Sequence, residues 1–151
     1  MTILAIDCGI EKNGYAVFKN KKYLTSGLIK TSKKNPDEVR IKKLYLQLKN
    51  IISQYKPKFI ILEQLFFFKN LKTAIRVSQA QGAIILLAAQ NNIEIKYLTP
   101  LQVKQTITGY GKADKKSIQK MLKLEFNLEL NQDDQADAVA LGLAYLYINK
   151  I

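Results

Sequence analysis

Ile3-Leu4-Ala5-Ile6-Asp7-Cys8-Gly9 decides how the rest of the chain is read. Four apolar residues run into one carboxylate and then a glycine. So short an apolar run beside a turn signal describes a strand buried on both faces. A charge belongs there only at the strand's end, where it reaches solvent or a cation. Taken alone, Asp7 is better explained as an ordinary residue closing a strand before a turn. The pattern returns, however, at Phe59-Ile60-Ile61-Leu62-Glu63.

Between the two stretches lie two more strand-like runs, Gly14–Phe18 and Tyr23–Lys30. The polar connections Glu11-Lys12-Asn13 and Lys19-Asn20-Lys21-Lys22 are short enough to imply an antiparallel meander. Asn35-Pro36-Asp37-Glu38 then announces a helix, with Asn35 as N-cap, Pro36 in the first helical position and Glu38 completing a capping box. Ile41, Leu44, Leu48, Ile51, Ile52 and Tyr55 form one apolar face of that helix, and Pro57 ends it. A strand at 59–63 that follows a helix following a strand runs parallel to the first. Leu71–Gln90 predicts a second helix, apolar almost all round, and Ile93–Leu98 another strand. Thr99-Pro100-Leu101-Gln102 opens a short helix. Thr108-Gly109-Tyr110-Gly111-Lys112 is a flexible basic loop, and further helices cover about Asp114–Phe126 and Asp134–Asn149. The fold class is α/β: a mixed five-stranded sheet, meander first and parallel strands after, flanked by helices.

Composition narrows the function. At 151 residues and 48% apolar, the chain suits one domain, 1–151, with a real core. No apolar run is long enough for a membrane span, and the first residues lack the pattern of a signal peptide, so a cytoplasmic location is the default. One cysteine excludes an intrachain disulfide and a cysteine-cluster zinc site. Without histidine, the hydrolase schemes that need an imidazole base are excluded. Twenty-four Lys and Arg against twelve Asp and Glu leave a formal charge of +12. That excess favours a polyanion, nucleic acid before an anionic membrane, although free use of Lys by an AT-rich genome has the same composition.

Parallel neighbouring strands end on the same sheet edge, so Asp7 and Glu63 approach one another where α/β sheets hold ligands. Asp133-Asp134-Gln135-Ala136-Asp137 opens the last helix, and Asp134 and Asp137 share a face of it. Acidic residues commonly begin helices; the conjunction with Asp7 and Glu63 is what points to chemistry. Two like charges ~4 Å apart repel by ~1 kcal/mol in water and ~4 kcal/mol at a partly shielded site. Bound cations resolve such a conflict, and all-oxygen ligands suit Mg²⁺, with Mn²⁺ able to substitute. Two metals ~3.5–4 Å apart can serve both oxygens of a phosphodiester displacement without histidine.

Phe66, Phe67 and Phe68 are consecutive, so an extended backbone cannot turn all three into one core. They either cover a helix or include an aromatic that stacks on unpaired bases, with Lys69 nearby for phosphate. Lys104, Lys112, Lys115 and Lys116 gather around the glycine loop, where phosphate contact competes with a plain solvated surface. The helix 71–90 is either buried under its own chain or a dimer interface.

Ile6-Asp7-Cys8-Gly9 with Gly14-Tyr15, Leu62-Glu63-Gln64-Leu65-Phe66, Gln102-Val103-Lys104-Gln105, Gly109-Tyr110-Gly111-Lys112-Ala113-Asp114-Lys115 and Asp134-Gln135-Ala136-Asp137-Ala138 follow one another along nearly the whole chain. In order and spacing this set resembles the RuvC family of Holliday-junction resolvases. Individually the motifs are weak; together they are specific. The resemblance implies an RNase H-like fold, a homodimer, and Mg²⁺-dependent paired nicks in a four-way DNA junction during recombination and repair. It implies catalytic, metal-holding roles for Asp7, Glu63, Asp134 and Asp137, action of Phe66 at the junction, and DNA-phosphate contact by Lys104 and Lys115. A partnership with the branch-migration helicase of the same pathway is also implied. One departure is Cys8, where the family usually has proline. The alternatives are another RNase H-like nuclease, for example on RNA–DNA hybrids, and a non-catalytic branched-DNA binder. An actin-like or sugar-kinase ATPase domain shares the Asp-x-Gly opening but needs two lobes and more glycine-rich phosphate loops.

Overall fold

The computed structural model describes residues 1–65 and 70–150. Strands β1 (Thr2–Asp7), β2 (Lys12–Lys19) and β3 (Lys22–Lys30) form the expected antiparallel meander. Helix α1 (Asp37–Tyr55) leads to β4 (Phe59–Glu63), which pairs parallel with β1. Helix α2 (Leu71–Gln90) leads to β5 (Glu94–Leu98), parallel to β4. Helices α3 (Pro100–Thr108), α4 (Lys115–Phe126) and α5 (Asp133–Ile148) complete the chain. The sheet order is β3-β2-β1-β4-β5.

Strand periodicity divides the core in two. Ile3, Ala5 and Ile61 face α3, α4 and α5. Leu4, Ile6, Ile60 and Leu62 face α1 and α2. Both faces of the central strands are therefore covered, which is why they read as unbroken apolar runs. Helix α5 is buried at Ala136 and from Ala138 to Leu146 and lies across β1 and β2.

Element ends shift by a residue or two from the sequence expectation, as at β2, which begins at Lys12 inside the expected 11–13 turn, and one cap differs outright. Asn35 is not the N-cap of α1; Pro36 is, without a side-chain cap. Asn35 closes a turn instead, its N–H donating to the Ser32 carbonyl at 3.1 Å, and the Pro36 carbonyl receives the first helical N–H groups, from Val39 and Arg40. Glu38 therefore completes no capping box, and Asp37 and Glu38 favour the helix start through charge alone. The capping box at Thr99 and Gln102 forms as expected.

Candidate active site

Side-chain alternation settles which way the strand-end carboxylates point. Asp7 lies two residues beyond Ala5, and Glu63 two beyond Ile61, on the face toward α5. Register aligns Ile6 with Leu62, so the carboxylates are next neighbours across a strand spacing of ~4.8 Å. The backbone carbonyl of Glu63 accepts from the buried side chain of Gln81 at 3.1 Å, which ties the end of β4 to α2.

The first turn of α5 brings the other two. Its N-cap is Gln132, with no side-chain cap hydrogen bond, so Asp134 and Asp137 are not there to cap the helix. Asp133 turns to α4 and accepts from Gln119 at 2.8 Å. Gln135 donates to Ser26 of β3 at 2.7 Å, pinning the turn to the sheet. Gly14, opposite Asp7 in β2, lets the helix in. A Cβ there would stand 1.8 Å from the Asp134 carbonyl oxygen.

Asp7, Glu63, Asp134 and Asp137 thus line one cleft of ≈ 390 Å³ with Lys104 and Lys115, walled by Val103, Ile118, Ala140 and Leu141. Its electrostatics match its composition. Burial, then the charges of Asp137, Glu63 and Asp134, push the Asp7 carboxyl up to about 8 from 3.8, against the opposing pull of Lys115. Burial and Asp137 also raise Glu63, against Lys104 and Lys115. Burial raises Asp137 too, against its ion pair with Lys115 at 3.2 Å. Burial alone would lower Lys115, but Asp137, Asp133 and Asp7 hold its ammonium above the usual range. Burial and the Asp7 charge push the Cys8 thiol up to about 12, so it is no thiolate nucleophile at neutral pH.

The donor set suits a hard divalent cation: several carboxylate oxygens, no imidazole, no thiolate because Cys8 in the cleft lining keeps its proton, and an excess of negative charge that shifts protonation upward. Among the described residues no group of three or more Asp, Glu, Cys or His is placed so as to hold a metal ion as it stands. An open arrangement still fits Mg²⁺, which keeps several of its waters when bound.

The other expected site residues separate. Lys112 lies outside the cleft, in a groove with Tyr110, Lys120 and Leu124. Lys116 is exposed on the first turn of α4 and is absent from the cleft wall. Phe66 lies outside the described residues. Sequence reasoning missed Arg40, Gln81, Asn13 and the Gln135–Ser26 pair. Arg40 and Gln81 did leave a signal: each is a polar residue on its helix's buried stripe, Arg40 in line with Leu44, Leu48 and Ile52.

An acidic cleft at the parallel strand ends of this sheet defines a nuclease of RNase H-like fold. The chain belongs to the crossover junction endodeoxyribonuclease RuvC family, whose model matches residues 3–145. The RuvC crossover junction endodeoxyribonuclease of Caldicellulosiruptor saccharolyticus is 45% identical, over 97% of this chain and 92% of that relative. That of Brachyspira hyodysenteriae is 43% identical, over 100% of this chain and 97% of that relative. Thermus thermophilus RuvC in complex with a Holliday junction substrate superimposes with a TM-score of 0.89 at 25% identity, over 99% of this chain and 95% of that one.

Proposed function

We propose that this protein is a divalent-metal-dependent crossover junction endodeoxyribonuclease that resolves four-way DNA junctions by paired nicks. The observation that carries this is the convergence of four carboxylates from β1, β4 and α5 on one cleft that two lysines share. Family membership supports the same activity.

Asp7, Glu63, Asp134 and Asp137 would hold Mg²⁺, two ions in the full site. When bound, the ions supply a nucleophile at neutral pH and stabilise charge on both oxygens of the displacement. The chain's own groups do the rest. Asp7 keeps its proton until a cation displaces it. Lys115 neutralises part of the acidic field and, with Lys104, faces the cleft where a phosphodiester would sit. Phe66, just beyond β4, would stack on an opened base. Lys112 and Lys116, outside the cleft, would meet the phosphates of a junction arm.

Paired nicks need two sites related by a two-fold axis. Helix α2 supports a homodimer. Val77, Ala80, Ile84, Leu87 and Ala88 face the core, while Leu71, Ile75 and Leu86 are exposed and, with Gly82 at spacings of four, seven and four, make a second apolar stripe. A branch-migration helicase is the expected functional partner. We place the protein in the cytoplasm as a single nuclease domain, consistent with the absence of any described helix long and apolar enough to cross a membrane.

The deciding experiment incubates the protein with a synthetic four-way junction, a linear duplex and an RNA–DNA hybrid, with and without Mg²⁺. The expected result is paired nicking of the junction alone, dependent on metal and lost in Asp7→Asn and Glu63→Gln while junction binding persists. Preferential cutting of the hybrid, or full activity in either variant, overturns the assignment.

A further inference from the structure

The turn that carries the chain away from Asp7, residues 8–11, is held by an unusual amount of buried polar structure. Gly9 donates its N–H to the side-chain oxygen of Asn13 at 3.1 Å, and Asn13 is 1% exposed. The Ile10 carbonyl accepts twice, from Nη2 of Arg40 at 2.7 Å and from the Thr31 hydroxyl at 2.9 Å. Nε of Arg40 donates to that same hydroxyl at 3.1 Å, and Thr31 N–H donates to the Glu11 carbonyl at 2.8 Å. The turn is tight as well: a Cβ on Gly9 would stand 2.3 Å from the Lys12 carbonyl oxygen.

Arg40 is the costly member of this network. It heads the buried stripe of α1, and its side chain is only 7% exposed. Its one carboxylate partner among the described residues, Asp37, lies 3.8 Å away and is shared with Arg76 of α2 at 3.7 Å. A buried guanidinium with so loose an ion pair contributes little net stability, and an apolar side chain of similar volume would serve the core as well or better. Its fork of fixed donors does what an apolar side chain cannot: it holds a backbone carbonyl three residues past Asp7 in one place. Cys8, unlike a proline, leaves its own φ free, so the turn's shape must come from such bonds. The charged groups that shift Asp7 are Asp137, Glu63, Asp134 and Lys115, and Arg40 is not among them. Arg40 touches the site's surroundings through the turn, by its bond to the Ile10 carbonyl.

We propose that Arg40, braced by Thr31, is a positioning residue of the nuclease centre, fixing the 8–11 turn so that the Asp7 carboxylate meets the cation in a single orientation. This rests on the metal-dependent function proposed above. Removing a group that orients a ligand commonly weakens metal affinity by ~10–100-fold.

The test measures Mn²⁺ affinity directly, by calorimetric titration of the full chain, beside thermal melting, junction binding in chelator, and the metal concentration giving half-maximal nicking. Arg40→Met should fold with a melting temperature near the parent's and bind the junction as the parent does. Its Mn²⁺ affinity should fall about tenfold and its metal half-point rise by the same factor. Arg40→Lys, with charge but no fork, should recover only part of the loss. Thr31→Val, which keeps side-chain volume and removes one donor to Ile10, should weaken Mn²⁺ severalfold, and decides the matter alone if Arg40→Met does not fold. Parent-like Mn²⁺ affinity and metal half-point in a folded Arg40→Met, or in Thr31→Val where Arg40→Met does not fold, overturn the proposal and leave Arg40 a packing residue. Asp7→Asn separates the two levels. If Mn²⁺ binding to the parent survives Asp7→Asn unchanged, the metal-centre reading fails and takes this one with it. If Asp7→Asn abolishes binding and the Arg40 and Thr31 variants do not weaken it, only the positioning role fails.

Discussion

Asp7 holds its proton to about 8 in the folded chain, against an ordinary 3.8. A raised carboxyl value means that the folded state binds the proton more tightly than the unfolded one. The stability gained from the protonated form is full below the unfolded value and is lost as pH rises through the folded one. In chelator, the melting temperature should therefore fall from about pH 5 towards about pH 8, and Asp7→Asn should flatten that fall. At about pH 7.5 the variant should be the more stable protein without metal, and Mg²⁺ should raise its melting temperature less than the parent's. Parallel melting curves in chelator and Mg²⁺ for the parent, with a less stable Asp7→Asn, would make the four carboxylates structural. Phe66 carries a separate expectation from its position soon after Glu63 in the sequence. Stacking is worth ~1–3 kcal/mol, whereas phosphates supply much of the affinity. Phe66→Ala should slow junction cutting more than it weakens binding, and equal cutting rates would leave it as packing.

At the scale of elements, the site depends on how closely α5 approaches β2. Gly14 permits that approach, because any Cβ there would overlap the Asp134 backbone. Gly14→Ala should push the first turn of α5 outward, carrying Asp134 and Asp137 away from Asp7 while the rest of α5 stays packed. A misplacement of ~1 Å can cost ~10²-fold in rate. Nicking should fall by about that factor, with far-ultraviolet circular dichroism and junction binding kept. An active Gly14→Ala would show that the helix start tolerates displacement. The same element carries Gln135, whose bond to Ser26 fixes the turn from its other side.

At the scale of the molecule, the proposed homodimer would meet through the exposed stripe of α2. A charge at its centre should break the association. Leu86 is 56% exposed, so Leu86→Glu should leave the fold intact. Sedimentation should then show monomer at micromolar concentration where the parent is a dimer, and a cruciform plasmid should be nicked on one strand instead of linearised. Paired cutting by a monomeric variant would rule out this interface. Gln81, on α2, holds the backbone of Glu63 and so ties that helix to the end of β4.

Two apolar runs ending in carboxylates, the helix between them and the short turns of the meander were enough to derive the antiparallel meander, the parallel course of 59–63 beside the first strand, and the sheet edge where Asp7 and Glu63 meet. Those features are local: period, turn length and parity follow from the backbone. The amphipathic stripe of α1 was equally legible, yet its buried Arg40 was not, because a cation enters a core only when partners distant in sequence, here Ile10 and Thr31, accept its protons. The start of α1 went to Pro36 instead of Asn35 because the preceding turn uses the Asn35 N–H. Asp134 and Asp137 by themselves read as ordinary helix-opening residues; their conjunction with Asp7 and Glu63 already pointed to one cluster, and the fold lines one cleft with all four. The sequence by itself determined which carboxylates existed and which strand ends and helix turn bore them. Only the tertiary structure decided that they share one cleft, that Lys104 and Lys115 join them while Lys112 does not, and that Asp7 keeps its proton near neutrality, since burial and the fields of distant residues arise only when the chain is packed.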